Sequence, residues 1–391
     1  MRGRGSPTDA VKRISTVALA AVLVAAGPAQ SQWEPTPAGW VKGSIELVRN
    51  VPTEGPSAIS LELYGRYLYT TTWHSFSIYD VSDPINPVLL SHTETGPSIF
   101  NEKPQTDGEI LLVSRDQAAV LEIWDVSDKE EPSLFSTYGD NGRNHIWECV
   151  LDCDYAYGAR GAILDLRDPS SPRPAGDWAK GRQILFFHDI EEVAPGVVIT
   201  GSVPMLQLDA RIRPARPRLV RTIAPKTTTP TRQYVVVGPQ ASSIPARVRW
   251  PGAARERFLL VSMETPFSGE CNDQSGGFYT FDARRRFRVA DEYIISTNGT
   301  YSDGSAPHNV VGCSAYAIDD NPAFNRNGLV AVSWFEQGLR ILRVNDRGRI
   351  KEIAGMMAHG TSAAEPVWVD EEIVYVTDLN RGLDIYRVGS N

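Results

Sequence analysis

Ser77-Ile78-Tyr79-Asp80-Val81-Ser82-Asp83-Pro84-Ile85-Asn86-Pro87 is the stretch from which the rest of this chain can be read. It returns as Glu122-Ile123-Trp124-Asp125-Val126-Ser127-Asp128-Lys129-Glu130-Glu131-Pro132, and again as Ala162-Ile163-Leu164-Asp165-Leu166-Arg167-Asp168-Pro169-Ser170-Ser171-Pro172. An apolar strand that ends in Asp and then turns at Asp-Pro-x-x-Pro is one element used repeatedly. Repetition of strands at a period of 40 to 50 residues is the mark of a propeller, in which each repeat is one blade.

Weaker copies extend the series. Leu206-Gln207-Leu208-Asp209 and Tyr279-Thr280-Phe281-Asp282 keep the Asp, while Leu339–Val344 and Leu383–Val388 carry Arg343 and Arg387 in its place. The marker therefore falls at residues 80, 125, 165, 209, 282, 343 and 387. Four of the intervals fit a blade of four short strands, and the two long ones require insertions of roughly 30 and 17 residues. Ahead of each marker lies a second apolar run, such as Tyr67–Thr71, Ile110–Ser114 and Phe258–Ser262. Runs of β-branched and aromatic residues bounded by Gly, Asp and Arg read as strands buried on both faces. The last marker is so close to the C-terminus that the seventh blade lacks an outer strand. Gly43–Val48 has the alternation to supply it, which would remove an exposed sheet edge. The expected fold is all-β, a seven-bladed propeller of four-stranded blades closed by its N-terminal strand.

The Tyr79-Asp80-Val81-Ser82-Asp83-Pro84 type of repeat resembles that of the LVIVD-repeat proteins, secreted bacterial β-propellers. The resemblance spans residues 40–391 and is strongest in the first three copies. It implies a fold and an address outside the cytoplasm, and no particular chemistry, because the family has no single activity.

The N-terminus agrees with that address. Arg2, Arg4, Lys12 and Arg13 precede the apolar run Thr16–Ala26, followed by small residues, which is the pattern of a secretory signal peptide over residues 1–31. The run is far short of the ~20 residues needed to span a bilayer, so the mature chain is expected to be secreted or periplasmic, without a membrane span. Residues 32–391 form one expected domain. With 39 basic against 47 acidic residues the formal charge is −8, which speaks against nucleic acid as a partner. The basic runs Arg211–Arg218 and Arg284–Arg288 each follow a third strand and belong to turns and outer strands. Four cysteines in an exported chain permit two disulfides. Cys149 and Cys153 flank a short hairpin; Cys271 and Cys313 would pin a long loop to the next blade.

In a propeller the innermost strand of each blade lines the central channel. Counting back 20 to 23 residues from a marker reaches the start of that strand. There stand Asn101 and Glu102 in blade two, His145 and Glu148 in blade three, His188 and Glu191 in blade four, and Glu365 in blade seven. His308 takes the corresponding place in blade six if the segment Asp319–Gly328 is the insertion. Histidines at matching positions around a channel, with carboxylates beside them, are the donors a divalent transition metal uses. His145, His188, His308 and Glu365 are accordingly the candidate metal ligands, with Asn101, Glu102, Glu148 and Glu191 as further ligand-binding residues. A repeat also inherits a polar residue at the head of its inner strand for packing alone, and that reading stands beside the first. Asp80, Asp125 and Asp165 recur with the blade and read as turn formers. No hydrolase elbow, zinc-protease helix, phosphate loop or dinucleotide fingerprint occurs in the chain. The sequence thus points to a secreted module binding an unidentified small molecule or protein at a His-containing channel mouth. The alternative is a channel-centred metal-dependent hydrolase or oxidase.

Overall fold

The computed structural model describes residues 39–389 apart from 54–56, 97–101, 140–143, 185, 224–241, 249–256, 265–268, 274 and 321–327, with backbone alone for 186 and 242–248. The expected leader (residues 1–31) and Asn101 fall outside the described residues.

The chain is a seven-bladed β-propeller. Each blade is an antiparallel meander of four strands, and the inner strands are Ser60–Tyr64, Gln105–Thr106, Trp147–Val150, Phe186–Ala194, Ser242–Val248, Ile318–Asp319 and Ala363–Trp368. The second strands coincide with the apolar runs of the sequence, from Tyr67–Thr71 to Ile373–Asp378. They are buried on both faces because neighbouring blades sandwich them: Leu68, Tyr69, Val374 and Tyr375 are all fully enclosed.

In blades one to five the Asp marker closes the third strand as its chemistry requires. Asp80 Oδ1 accepts from the Ser82 amide at 2.8 Å, Asp125 from Ser127 at 3.0 Å, Asp165 from Arg167 at 3.2 Å and Asp282 from Arg284 at 3.0 Å. An Asp bonded two residues ahead turns the chain toward the outer strand.

The core is not one mass but a ring of interfaces. Ile146, Tyr157 and Trp178 of blade three pack on Ile190, Val198 and Leu208 of blade four. The ring closes in the same way, with Leu61, Leu68 and Tyr79 of blade one against Ile373, Tyr375 and Leu383 of blade seven. Burying one such large side chain contributes about 1.5–3 kcal/mol, so each interface is a substantial share of the stability.

Ile45–Val51 is the outer strand of blade seven, pairing antiparallel with Gly382–Val388 from Ile45↔Val388 to Val51↔Leu383. The preceding strand, Trp40–Lys42, adds a fifth strand to blade six through Met357 and Gly355. The N-terminal segment thereby clasps the last two blades.

Both disulfides join the expected partners, Cys149 with Cys153 and Cys271 with Cys313. Between Cys149 and Cys153 the chain makes its hairpin through Leu151, Asp152 and Cys153, all left-handed with φ of 59°, 53° and 56°. Non-glycine residues avoid this region, and the crosslink holds three of them there.

Blade six departs from the count. Its inner strand is Ile318–Asp319, so His308 and Cys313 lie in the long approach to that strand rather than within it. The extra residues of this blade include that approach, where Asn309 is bonded to Asn298 at 3.0 Å and to Gln337 at 2.9 Å. A repeat period fixes how many residues are extra; it does not fix where they go.

Candidate functional site

All inner strands run the same way along the channel, so their starts define one level and their ends another. At the starts, blades two, three and four bring together Glu102, His145 and His188, with one potential donor atom from each lying within 4.8 Å of the others. The imidazoles meet edge to face, their centroids 4.8 Å apart. His145 Nε2 lies 3.0 Å from Glu102 and Nδ1 3.2 Å from Asp116; His188 Nε2 is 3.5 Å from Glu264. Asp116 comes from the turn between the second and third strands of blade two, and Glu264 ends the second strand of blade five. Those loops share a face with the inner-strand starts, which is also where His74 stands.

The two imidazoles are electrostatically unlike. Burial alone would strip the proton from His145, but the charges of Glu102 and Asp116 outweigh it and hold the ring protonated well above the usual imidazole range. His188 is driven to about 3 by burial and by the charge of His145, so its imidazole is neutral. Burial would raise the Glu102 carboxyl, yet His145 keeps it below its usual value. The Tyr316 phenol, pushed up by burial and by Glu102, stays protonated and bonds that carboxylate.

One residue further along, the channel holds a buried lysine. Lys103 Nζ donates to Asp189 at 3.1 Å, to Glu191 at 2.7 Å and to the Ile190 carbonyl at 2.6 Å, and lies 3.0 Å from Glu148. Its backbone has φ of 51°, which lets the adjacent Glu102 and Lys103 both reach inward. Burial disfavours the ammonium, but three carboxylates hold it protonated well above the usual lysine range. The same contacts leave the Asp189 and Glu148 carboxyls above their usual values, because burial and mutual repulsion exceed what one cation supplies. Glu365 of blade seven is at this level too, accepting from the Ser60 hydroxyl and from the Leu61 amide at 3.1 Å. Burial pushes its carboxyl up to about 7.

At the strand ends the channel widens into a cavity of about 470 Å³. Glu62, Glu148, Glu191 and Glu192 line it from inner strands, and Asp107, Glu109 and Asp152 from the hairpins beyond; among the described residues no Lys or Arg lines it. Glu192 is occupied by the Leu151 and Gly196 amides at 3.0 and 2.7 Å. Glu62 has its carboxyl raised well above the usual range by burial and by Glu365, Glu148 and Glu191. The exposed Tyr64, Glu109 and Asp152 open this end to solvent.

Of the residues singled out in the sequence, the fold gathers Glu102, His145 and His188 at one level and Glu148, Glu191 and Glu365 below them. His308 is exposed and stands apart from the other two histidines. Lys103, Asp116, Asp189 and Glu264 escaped the count. Glu264 and Asp116 carried a readable signal, since second strands end where inner strands begin. Lys103 carried none beyond its place next to Glu102.

Among curated protein sequences none matches this chain. Among solved structures, hydrazine synthase from Kuenenia stuttgartiensis superposes with a TM-score of 0.57 at 12% identity, over 87% of this chain and 98% of that one. At that identity the likeness speaks for the fold alone. The family model of the LVIVD repeat matches residues 55–95, the first blade. The first blade therefore carries an LVIVD repeat, in a chain folded as a seven-bladed propeller.

Proposed function

We propose that this propeller is a binding module whose ligand is a cation, taken up in the carboxylate-lined end of the channel. The observation that carries the reading is the charge imbalance. Among the described residues, seven carboxylate side chains and no basic one line the cavity of about 470 Å³. The adjacent Lys103 is already spent on three carboxylates. Like charges crowded in low dielectric raise one another's proton affinity, and an arriving cation relieves that repulsion. A cavity of this size suits an organic amine or the side chain of a basic peptide. The two disulfides are compatible with an oxidising compartment. Among the described residues no helix is long and apolar enough to cross a membrane. We place the module outside the cytoplasm, as the residues 1–31 pattern implies.

The test is calorimetry with spermidine at low salt. Binding should release heat that depends on the buffer's ionisation enthalpy, because bound protons leave, and should weaken as salt rises. Glu62→Gln combined with Glu191→Gln should reduce affinity about tenfold, or roughly 1.4 kcal/mol. Binding that is absent, or equal in the double variant, would overturn the reading.

A further inference from the structure

We propose that Glu102, His145 and His188 form a divalent transition-metal site at the inner-strand starts, separate from the acidic cavity at the other end. Three features support it. The donors are two imidazoles and one carboxylate, the combination that suits zinc or iron(II) and leaves coordination positions open. They come from three consecutive blades, which the inter-blade cores hold in fixed relation. Their candidate atoms already lie within 4.8 Å of one another, so small side-chain shifts bring them to the ~2.0–2.2 Å that ligation requires.

The surroundings match as well. Asp116 sits 3.2 Å from the His145 nitrogen that faces away from Glu102. A ligating imidazole normally gives its second N–H to a carboxylate, which fixes its tautomer and raises its basicity. Glu264, 3.5 Å from His188 Nε2, serves either as the corresponding partner of His188 or as a fourth donor through its carboxylate oxygen. The two imidazoles meet across the boundary between blades three and four, so one ion can be reached from both. The site also stands on a different observation from the cationic cavity. The inner strand of blade four passes His188 and reaches the first of its cavity-lining residues, Glu191, three residues later, about 10 Å at ~3.3 Å per residue.

Cobalt(II) is the probe, because it occupies zinc sites and reports nitrogen ligation in its visible absorption. Protein purified without an affinity tag and stripped by chelator should take up one equivalent of Co²⁺, with bands that Zn²⁺ abolishes. His145→Ala and His188→Ala should each lose the bands, and Glu102→Gln should weaken binding at least tenfold. Asp116→Asn should weaken it 10- to 100-fold while keeping the band shape. His308→Ala and His92→Ala, which lie outside the group, should bind as the parent does. Circular dichroism on every variant separates loss of metal from loss of fold, and Glu102→Gln, which keeps size and shape, carries the test if a His variant fails to fold. No uptake by the parent would overturn the proposal. So would uptake that persists in the His variants but disappears in Glu62→Gln/Glu191→Gln, since the metal would then sit in the acidic cavity. Cobalt binding with no spermidine binding would instead overturn only the cationic-cavity reading.

Discussion

Glu102 and Lys103 are neighbours in sequence, yet they belong to two levels of the channel that are neutralised differently. Around Lys103 the counter-charge is part of the chain, an ammonium fixed among Asp189, Glu148 and Glu191. Around Glu102 the positive charge is a proton on His145. A lysine cannot leave, whereas a proton exchanges with solvent and can give way to another cation. The same blades therefore supply one level that is a structural strut and one that is free to change occupant. The left-handed backbone of Lys103 fits this division, since such strain of about 1–3 kcal/mol persists only where the surroundings over-determine it.

The largest effect should come from removing the strut. Lys103→Met leaves buried carboxylates uncompensated, which costs about 3–5 kcal/mol. Urea unfolding at pH 7 should show this, and the deficit should shrink as pH falls and Asp189 and Glu148, whose carboxyls are held above their usual values by burial, take up protons. A parent-like midpoint would mean that the ammonium does not balance those charges.

Glu365 sharpens the comparison, because it lies at the lysine level but is bonded to Ser60 and Leu61 rather than to the ammonium. Its carboxyl titrates at about 7 in the fold against an ordinary 4.5. The folded state thus binds its proton more tightly than the unfolded chain. The stability this lends is complete below pH 4.5 and lost as pH rises to 7, a change on the order of 3 kcal/mol. In Glu365→Gln the slope over that window should flatten. Parallel pH profiles for parent and variant would refute the assignment.

The smallest effect concerns the hairpin at the cavity. In the chain-entropy model, a crosslink between residues four apart contributes about 2 kcal/mol. Cys149→Ala/Cys153→Ala should lower the urea midpoint accordingly. Its three left-handed residues would be freed beside Asp152 and Glu192, so spermidine binding should weaken while cobalt uptake is unchanged. Equal loss of both would show that the two levels are not independent.

Most of the ring was legible because it is written several times over. Asp80, Asp125 and Asp165 each mark a third strand, and a shared error in reading them is improbable when the intervals agree. The pairing of Ile45–Val51 with the last strand followed from a blade otherwise one strand short. His308 was misplaced because an insertion has no period to locate it. Lys103 was invisible because its partners come from blades three and four, and nothing local in Glu102-Lys103-Pro104 tells a buried ammonium from a solvated one. Its role exists only once the ring has closed. Asp116 and Glu264 required a second rule, that the far ends of second strands reach the same level as the inner-strand starts.

The clasp between the two ends of the ring has a temporal side. Asn50 bonds Asp384 across a separation of 334 residues, within the strand pair that completes blade seven. At roughly 5–20 residues per second of synthesis, the early strand waits some tens of seconds for its partner. During that interval blade seven does not exist, and the chain remains an open arc with a bare strand at each end. Such edges invite pairing with other chains, so a product truncated before Gly382 would be marked by stickiness as well as by lower stability. The ring is complete only when Gly382–Val388 meets Ile45–Val51.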